Sequence, residues 1–116
     1  MRRIGLDARK GVDQPAMRTL VDLAQEPHVW LKTASAYRMM LKGATYEHMV
    51  PIGRAVHEAA PDRVIWGTDW PHSNAYTPGE MPNDGDLVDW LRDFVPDETR
   101  RRKLLLDNPK RLFEAV

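Results

Sequence analysis

An acid and a histidine follow a short apolar run near the middle of the chain. Residues 63–74 read RVIWGTDWPHSN, in which the apolar residues VIW are followed by a glycine and then by Asp69 and His72. Glycine and proline end strands and shape turns, so this pattern predicts a strand that delivers Asp69 to its rim. Ligands and chemistry collect where parallel strands pass into loops, which makes Asp69 the first candidate catalytic residue.

Three kinds of chemistry are open to a carboxylate at such a position. Asp69 could bind a metal, take a proton from an attacking water molecule, or cap the turn that follows it. For His72 the corresponding choices are metal ligation, a hydrogen bond to a substrate, or closure of the loop on itself.

A third candidate follows the other predicted strand. Arg38 lies in the sequence SAYRMM, just beyond residues 28–34. An arginine at a strand exit can bind a carboxylate through its planar guanidinium group. The alternative is an ordinary surface arginine.

The elements that would position these side chains follow an α/β rhythm. Proline breaks and apolar spacing divide the first part of the chain into helix, strand, loop, helix and strand. They are predicted at residues 15–26 with Asp13 as the cap, 28–34, 35–50 with one helical turn, 51–60 and 63–67. We expect the two strands to be parallel and adjacent, because a helix is the usual crossover between parallel neighbours.

The second part of the chain is predicted to be a long loop followed by helices. Residues 68–84 contain three prolines, and a loop of this length usually lines or covers a site. Helices are predicted at residues 86–94 and from Asp97 onward. Asn108 before Pro109 has the pattern of a cap and a first helical position for a last short helix.

Two strands are too few for an independent sheet. Either another segment supplies the rest of a barrel or sheet, or several copies of the chain assemble. We therefore expect four apolar strand residues to be partly exposed in the isolated chain or buried against another copy. They are Val29, Leu31, Val64 and Trp66.

The composition excludes several classes of protein. The chain has 116 residues, of which 42% are hydrophobic and 29% charged, as in one soluble globular domain. Its 17 basic and 17 acidic residues balance to zero net charge, which argues against a nucleic-acid partner. It has no cysteine and no apolar run approaching the roughly 18 residues of a membrane helix, so we expect no membrane association and a cytoplasmic location.

The four histidines do not form a metal-binding pattern. None lies in a His-x-His or HExxH spacing, and we predict no zinc site made by this chain alone. We expect His57 to lie on a partly solvated helix face.

Four segments together resemble the C-terminal third of the amidohydrolase-2 family, and most closely its 2-pyrone-4,6-dicarboxylate lactonase branch. The segments are VWLKTASAYR, PDRVIWGTDWPH, MPNDGDLVDWL and RRKLLLDNPKRLF. The resemblance begins at about Gly11 and implies an α/β fold, namely a C-terminal fragment of a TIM (β/α)8 barrel, with residues 63–67 as the eighth strand.

The resemblance also implies roles for individual residues. Asp69 matches the acid that activates the hydrolytic water, and Arg38 matches an arginine that binds a substrate carboxylate. The opening MRRIGLD resembles the loop after the sixth strand, which makes Arg3 a further candidate for substrate binding. His72 is our remaining substrate-binding candidate.

The resemblance implies a hydrolase of ester or lactone bonds in small carboxylate-bearing substrates. A full barrel needs about 250 residues, so we expect this chain to be incomplete as a catalyst. The alternatives are a non-catalytic barrel fragment and an oligomeric module that binds small molecules. No cofactor is expected for the lactonase branch, whereas the wider family often uses a divalent metal such as zinc.

Overall fold

A computed structural model describes residues 5–73 and 75–114. Two three-residue strands, β1 (Leu31–Thr33) and β2 (Val64–Trp66), pair in parallel with Leu31 opposite Val64. This confirms the predicted parallel, adjacent pair. Both strands are shorter than predicted, because only three residue pairs are in register.

Short and medium-length helices surround the strand pair. They are α1 (Pro15–Gln25), α2 (Tyr37–Leu41), α3 (Tyr46–Ala59), α4 (Asp84–Asp89), α5 (Leu91–Phe94), α6 (Glu98–Arg102) and α7 (Asn108–Glu114). Residues Ala8–Lys10 form a 3-10 turn, and Lys103–Asp107 are π-helical between α6 and α7. None of the helices in the described ranges is long and apolar enough to cross a membrane.

The first helix begins where predicted, but Asp13 is not its cap. Gln14 occupies the N-cap position, and its buried side chain hydrogen-bonds to the backbone of Asp7 and Gly11. The Asp13 carboxylate instead accepts a hydrogen bond from Arg18 at 2.8 Å. The longer glutamine side chain reaches the preceding turn, which ties the N-terminal segment to α1.

The segment between the strands contains more helix than predicted. The predicted start at Pro51 is wrong, because a capping box of Thr45 and His48 begins α3 at Tyr46. The Thr45 backbone N–H donates to His48 Nδ1 at 3.0 Å. A histidine in place of the usual Glu or Gln makes this box hard to recognise in the sequence.

The predicted helix over residues 86–94 is two helices. It begins earlier, at Asp84 after the Asn83 cap, and α4 gives way to α5 at Trp90. The side chain of Asn83 accepts a hydrogen bond from the Gly85 backbone at 2.7 Å. The predicted helix start at Asp97 is confirmed, and Asp97 is the N-cap of α6, whose carboxylate accepts from the Arg100 backbone at 3.0 Å.

The predicted Asn108 cap is wrong, because the helix continues through that residue. Pro109 has no N–H to donate to the Leu105 carbonyl, and the π-helical turn before it accommodates this loss. Asn108 is 1% exposed and donates to the carbonyl oxygens of Pro61 and Val64, each at 2.8 Å. Its side chain therefore fastens α7 to the start of β2.

The core lies between the strand pair, α3, α5 and the π-helical turn. Its least exposed large side chains include Met49, Leu91, Leu104 and Val64. Of the four strand residues expected to be exposed, Val29, Leu31 and Trp66 are partly exposed. Val64 is 2% exposed within the chain itself, so the expectation was wrong for that residue, which lies in one core cluster with Leu104.

Candidate functional site

The exits of the two strands bring Arg38 and Asp69 into direct contact. Arg38 lies in α2, soon after β1, and Asp69 lies three residues beyond β2. Arg38 Nη2 donates to Asp69 Oδ2 at 2.7 Å, in an ion pair whose side chains are both about one third exposed or less. The sequence prediction that both residues share one rim is therefore correct.

Tyr37 is a member of this site that the sequence reasoning missed. Its hydroxyl donates to the same Asp69 oxygen, Oδ2, at 3.0 Å. The side chain is 3% exposed, whereas its neighbour Arg38 is half-buried. In the sequence, only its place beside Arg38 at a strand exit indicated a role for Tyr37 in the site. An aromatic residue at that position is equally typical of a hydrophobic core.

These neighbours keep Asp69 ionised. Burial raises the pKa of Asp69, but the nearby Ser35 and Tyr37 hydroxyls and the Arg38 guanidinium together hold the pKa below its ordinary value of 3.8. The backbone of Asp69 has φ of +69°, a left-handed conformation that Asp tolerates better than most residues. Thr68 Oγ1, rather than the Asp69 carboxylate, accepts the Trp70 backbone N–H at 3.3 Å.

His72 lies behind this carboxylate and is 2% exposed. Its Nε2 is 2.8 Å from Asp84 Oδ1, and its ring meets the Tyr37 ring edge-on at 5.1 Å between centroids. These contacts join the loop to the first residue of α4, in accord with the loop-closure alternative. Its Nδ1 is buried without a hydrogen-bond partner among the described residues, and contact between His72 and a substrate stays a prediction.

A cleft of about 750 Å³ opens beside Arg38, within the size range of small-molecule sites. Ser35, Arg38 and Lys42 line one side of it, and the 3-10 turn with Arg9 lines the other. Arg9 is already neutralised, because its hydrogen bonds to Asp7 lower the pKa of that carboxyl to about 2. Arg38 is likewise paired, with Asp69, so Lys42, which has no ion pair among the described residues, makes the Arg38 side of the cleft the more favourable one for an anion.

Three further sequence predictions concern residues outside the contact between Arg38 and Asp69. Arg3 lies outside the described residues. Within residues 5–73 and 75–114, no group of three or more His, Cys, Asp or Glu side chains could hold a metal ion. His57, expected to be partly solvated, is instead 6% exposed and lies between Thr33 and the Gly53 carbonyl, away from Asp69.

The sequence profile of the amidohydrolase family matches residues 4–115. The chain belongs to the amidohydrolase family. It is 53% identical over 107 residues to 4-sulfomuconolactone hydrolase of Hydrogenophaga intermedia, covering 92% of this chain and 35% of that protein. It is 39% identical over 116 residues to 2-pyrone-4,6-dicarboxylate hydrolase of Comamonas testosteroni, covering 92% of this chain and 37% of that protein.

A solved structure shares the fold of this chain. The apo crystal structure of an Agrobacterium tumefaciens protein superposes with a TM-score of 0.74 at 33% identity. The match covers 90% of this chain and 38% of that one. The chain thus spans little more than a third of the length of the relatives it matches. Its two parallel strands and flanking helices correspond to a C-terminal part of the (β/α)8 barrel.

Proposed function

We propose that this amidohydrolase chain supplies the general base and a carboxylate-binding arginine to a hydrolase of ester or lactone bonds. The substrate class is a small molecule that carries a carboxylate. The observation that carries the proposal is the contact between Arg38 and Asp69 at the common rim of the two strands, beside an open cleft.

The chemistry follows from the charge state of Asp69. As an ionised carboxylate, Asp69 takes one proton from a water molecule while the water oxygen forms a bond to the substrate carbonyl carbon. Collapse of the resulting tetrahedral species breaks the ester C–O bond, and the proton held by Asp69 passes to the leaving oxygen, which gives an acid and an alcohol and restores the Asp69 carboxylate. Arg38 uses Nη2 on Asp69, and its other N–H groups can bind the substrate carboxylate beside the reacting carbonyl.

A complete site requires more than this chain. The relatives are almost three times as long as the part matched, and a barrel closes only with all of its strands. We infer that residues outside these 116 supply the remaining strands, either as an N-terminal barrel part or as further copies of the same segment. The isolated chain is expected to show no hydrolysis above background.

The described residues do not fit a zinc ion by themselves. Asp69 is the only acid at the rim contact, and the Arg38 guanidinium lies 2.7 Å from one of its oxygens, where it competes with any bound cation. A cytoplasmic location, and a reaction that needs no metal as in the lactonase branch, are also part of the proposal. Substrate binding by His72 and Arg3 remains part of the proposal.

The second candidate is a non-catalytic fragment that binds small anions. The lowered pKa of Asp69 favours it, because a more acidic carboxyl group is a weaker base toward water. The small share of the relatives' length that the chain covers points the same way.

Complementation of the barrel separates the two candidates. The 116-residue chain would be mixed with the part of the Hydrogenophaga intermedia relative that it does not match, and hydrolysis of 4-sulfomuconolactone would be followed. We expect turnover with the wild-type chain and none with Asp69→Asn, because an amide cannot accept the proton from water.

Asp93→Asn is the matched control, since Asp93 also accepts a hydrogen bond from a tyrosine hydroxyl, that of Tyr46, far along the chain. It should keep activity close to wild type. Equal turnover by Asp69→Asn and wild type would remove Asp69 as the base. Binding of the relative's segment without any turnover would favour the non-catalytic candidate.

A further inference from the structure

Tyr37 has contacts that the proposed reaction does not yet use. It is the first residue of α2 and is almost fully buried, with its hydroxyl 3.0 Å from Asp69 Oδ2. A buried tyrosine hydroxyl usually finds a hydrogen-bond partner. In this chain the partner is the candidate base.

The Tyr37 ring is held from behind by a second polar pair. The His72 ring packs against it at an interplanar angle of 88°, and His72 is in turn fixed by Asp84 at 2.8 Å. With both the ring and the hydroxyl in contact, the tyrosine has little freedom to move. The Tyr37 hydroxyl can therefore hold the Asp69 carboxylate in one orientation.

Of the three neighbouring groups that lower the pKa of Asp69, Tyr37 and Arg38 donate hydrogen bonds to the same carboxylate oxygen. Tyr37 and Arg38 each donate to Oδ2, and neither of these two hydrogen bonds involves Oδ1. A carboxylate held through one oxygen presents the other in a fixed orientation. The backbone of Asp69, with φ of +69°, fixes the direction in which the side chain leaves the chain. Rotation about the side-chain bonds of Asp69 is limited only by contacts such as these.

We propose that Tyr37 is a positioning residue, which orients Asp69 through Oδ2 so that Oδ1 receives the proton from water. This inference rests on the proposed function, because it assigns a role beside the proposed base. Tyr37 does not itself exchange a proton with substrate. Burial raises the pKa of Tyr37, so its hydroxyl remains a donor at neutral pH.

The test compares two conservative substitutions that remove only a hydroxyl group. Tyr37→Phe deletes the bond to Asp69, and Tyr46→Phe deletes the equivalent bond to Asp93 at the contact of α3 with α5. The Asp69 carboxyl carbon would be titrated by NMR in the 116-residue chain, with its signal assigned by its loss in Asp69→Asn. We expect the Asp69 midpoint to rise in Tyr37→Phe and to stay unchanged in Tyr46→Phe.

The complemented barrel provides a second measurement. Tyr37→Phe should lower kcat by about 10- to 100-fold, the loss typical of a hydrogen bond to a charged group, with KM unchanged. In the pH–rate profile of Tyr37→Phe, the acidic limb should also move to higher pH. An unchanged Asp69 midpoint, or a change in KM with kcat intact, would overturn the inference. If the barrel shows no turnover at all, the proposed function fails, and the NMR titration still decides the role of Tyr37.

Discussion

At the scale of single residues, the site is organised around one oxygen atom. Asp69 Oδ2 accepts from a buried hydroxyl and from a half-buried guanidinium, so the carboxylate is stabilised in its charged form. The same contacts that keep Asp69 ionised also reduce its basicity. A weaker base lowers the rate of proton transfer, so the fixed orientation of the carboxylate must raise the rate by more than this loss. The position of Oδ1 therefore matters.

Arg38→Lys tests whether the guanidinium geometry, beyond its charge, is needed for substrate. Lysine keeps the positive charge beside Asp69 but loses the planar fork that binds a carboxylate through two nitrogens. In the complemented barrel we expect KM to rise, on the order of 1 to 3 kcal/mol in binding free energy, with a smaller change in kcat. The measurement is steady-state hydrolysis over a range of substrate concentrations.

Arg18→Lys is the control for that substitution. Arg18 also pairs with an acid, Asp13, but it is exposed and does not line the cleft. It should leave both kinetic constants unchanged. A KM for Arg38→Lys equal to that of wild type would show that Arg38 serves Asp69 alone.

At the scale of elements, two buried polar side chains join helices to the strand pair. His57 connects α3 to β1 through Thr33 Oγ1 at 3.0 Å, while its Nδ1 is 2.7 Å from the Gly53 carbonyl oxygen. Asn108 connects α7 to β2. These contacts hold the strands from which the loop after β2 and, four residues on, α2 begin.

Burial of His57 predicts a pH dependence of stability. Burial lowers the pKa of His57 below its ordinary value of 6.5, so the unfolded chain binds more protons than the folded chain. The free energy of unfolding should therefore fall as the pH drops below 6.5, by at most about 1.4 kcal/mol per pH unit, until the folded pKa is reached. Urea unfolding between about pH 7 and pH 4.5 measures this slope.

His57→Gln should abolish the slope in that range, whereas His28→Gln, at an exposed position, should keep it. The carboxyl groups with lowered pKa, Glu47 among them, begin to bind protons in the unfolded chain near the ordinary value of 4.5, so the slopes are compared above about pH 5.5. A slope that survives in His57→Gln would assign it to another group.

Asn108→Ala should destabilise the chain without touching the site. It leaves the carbonyl oxygens of Pro61 and Val64 without their donor in a place from which water is excluded, at a cost of about 1 to 3 kcal/mol. Urea unfolding at neutral pH gives the difference directly. Asn83→Ala, at an exposed helix cap, should cost about 1 kcal/mol. A loss for Asn108→Ala below about 1 kcal/mol would contradict its anchoring role.

At the scale of the whole molecule, the strand pair has an unpaired edge on each side within the described ranges. Among the described residues, β1 and β2 are the only strands and pair with each other, through donors such as Leu31 N–H to the Arg63 carbonyl at 2.8 Å. Large apolar side chains also remain exposed in the loop after β2, among them Trp70 at 75% and Tyr76 at 83%. Open edges and exposed aromatic groups together favour association with further barrel strands.

Amide hydrogen exchange tests that association. Successive N–H groups of a strand point to opposite sides, so those of Lys32 and Trp66 face the outer edges while those of Leu31 and Gly67 already bond across the pair. Adding the unmatched part of the Hydrogenophaga intermedia relative should slow exchange at Lys32 and Trp66. Leu31 and Gly67 serve as internal controls with little change. Unaltered exchange at the outer amides would contradict pairing at these edges.

The sequence by itself determined the features that depend on nearest neighbours. Apolar runs ended by glycine and proline located both strands, and a helix between them implied a parallel pair. Because parallel strands place their exits at one edge, the proximity of Arg38 and Asp69 also followed. The motifs around these residues identified the family, since they combine specific residue types at close spacing.

Only the tertiary structure decided which groups meet across long stretches of chain. Tyr37 faces Asp69, His57 lies beneath β1, and Asn108 bonds to the start of β2 instead of capping a helix. In each case the sequence offered a local use for the side chain, such as core packing, a solvated face or a cap. The long-range contact prevailed because buried carbonyl and carboxylate oxygens must find donors, and those donors come from whichever element packs against them.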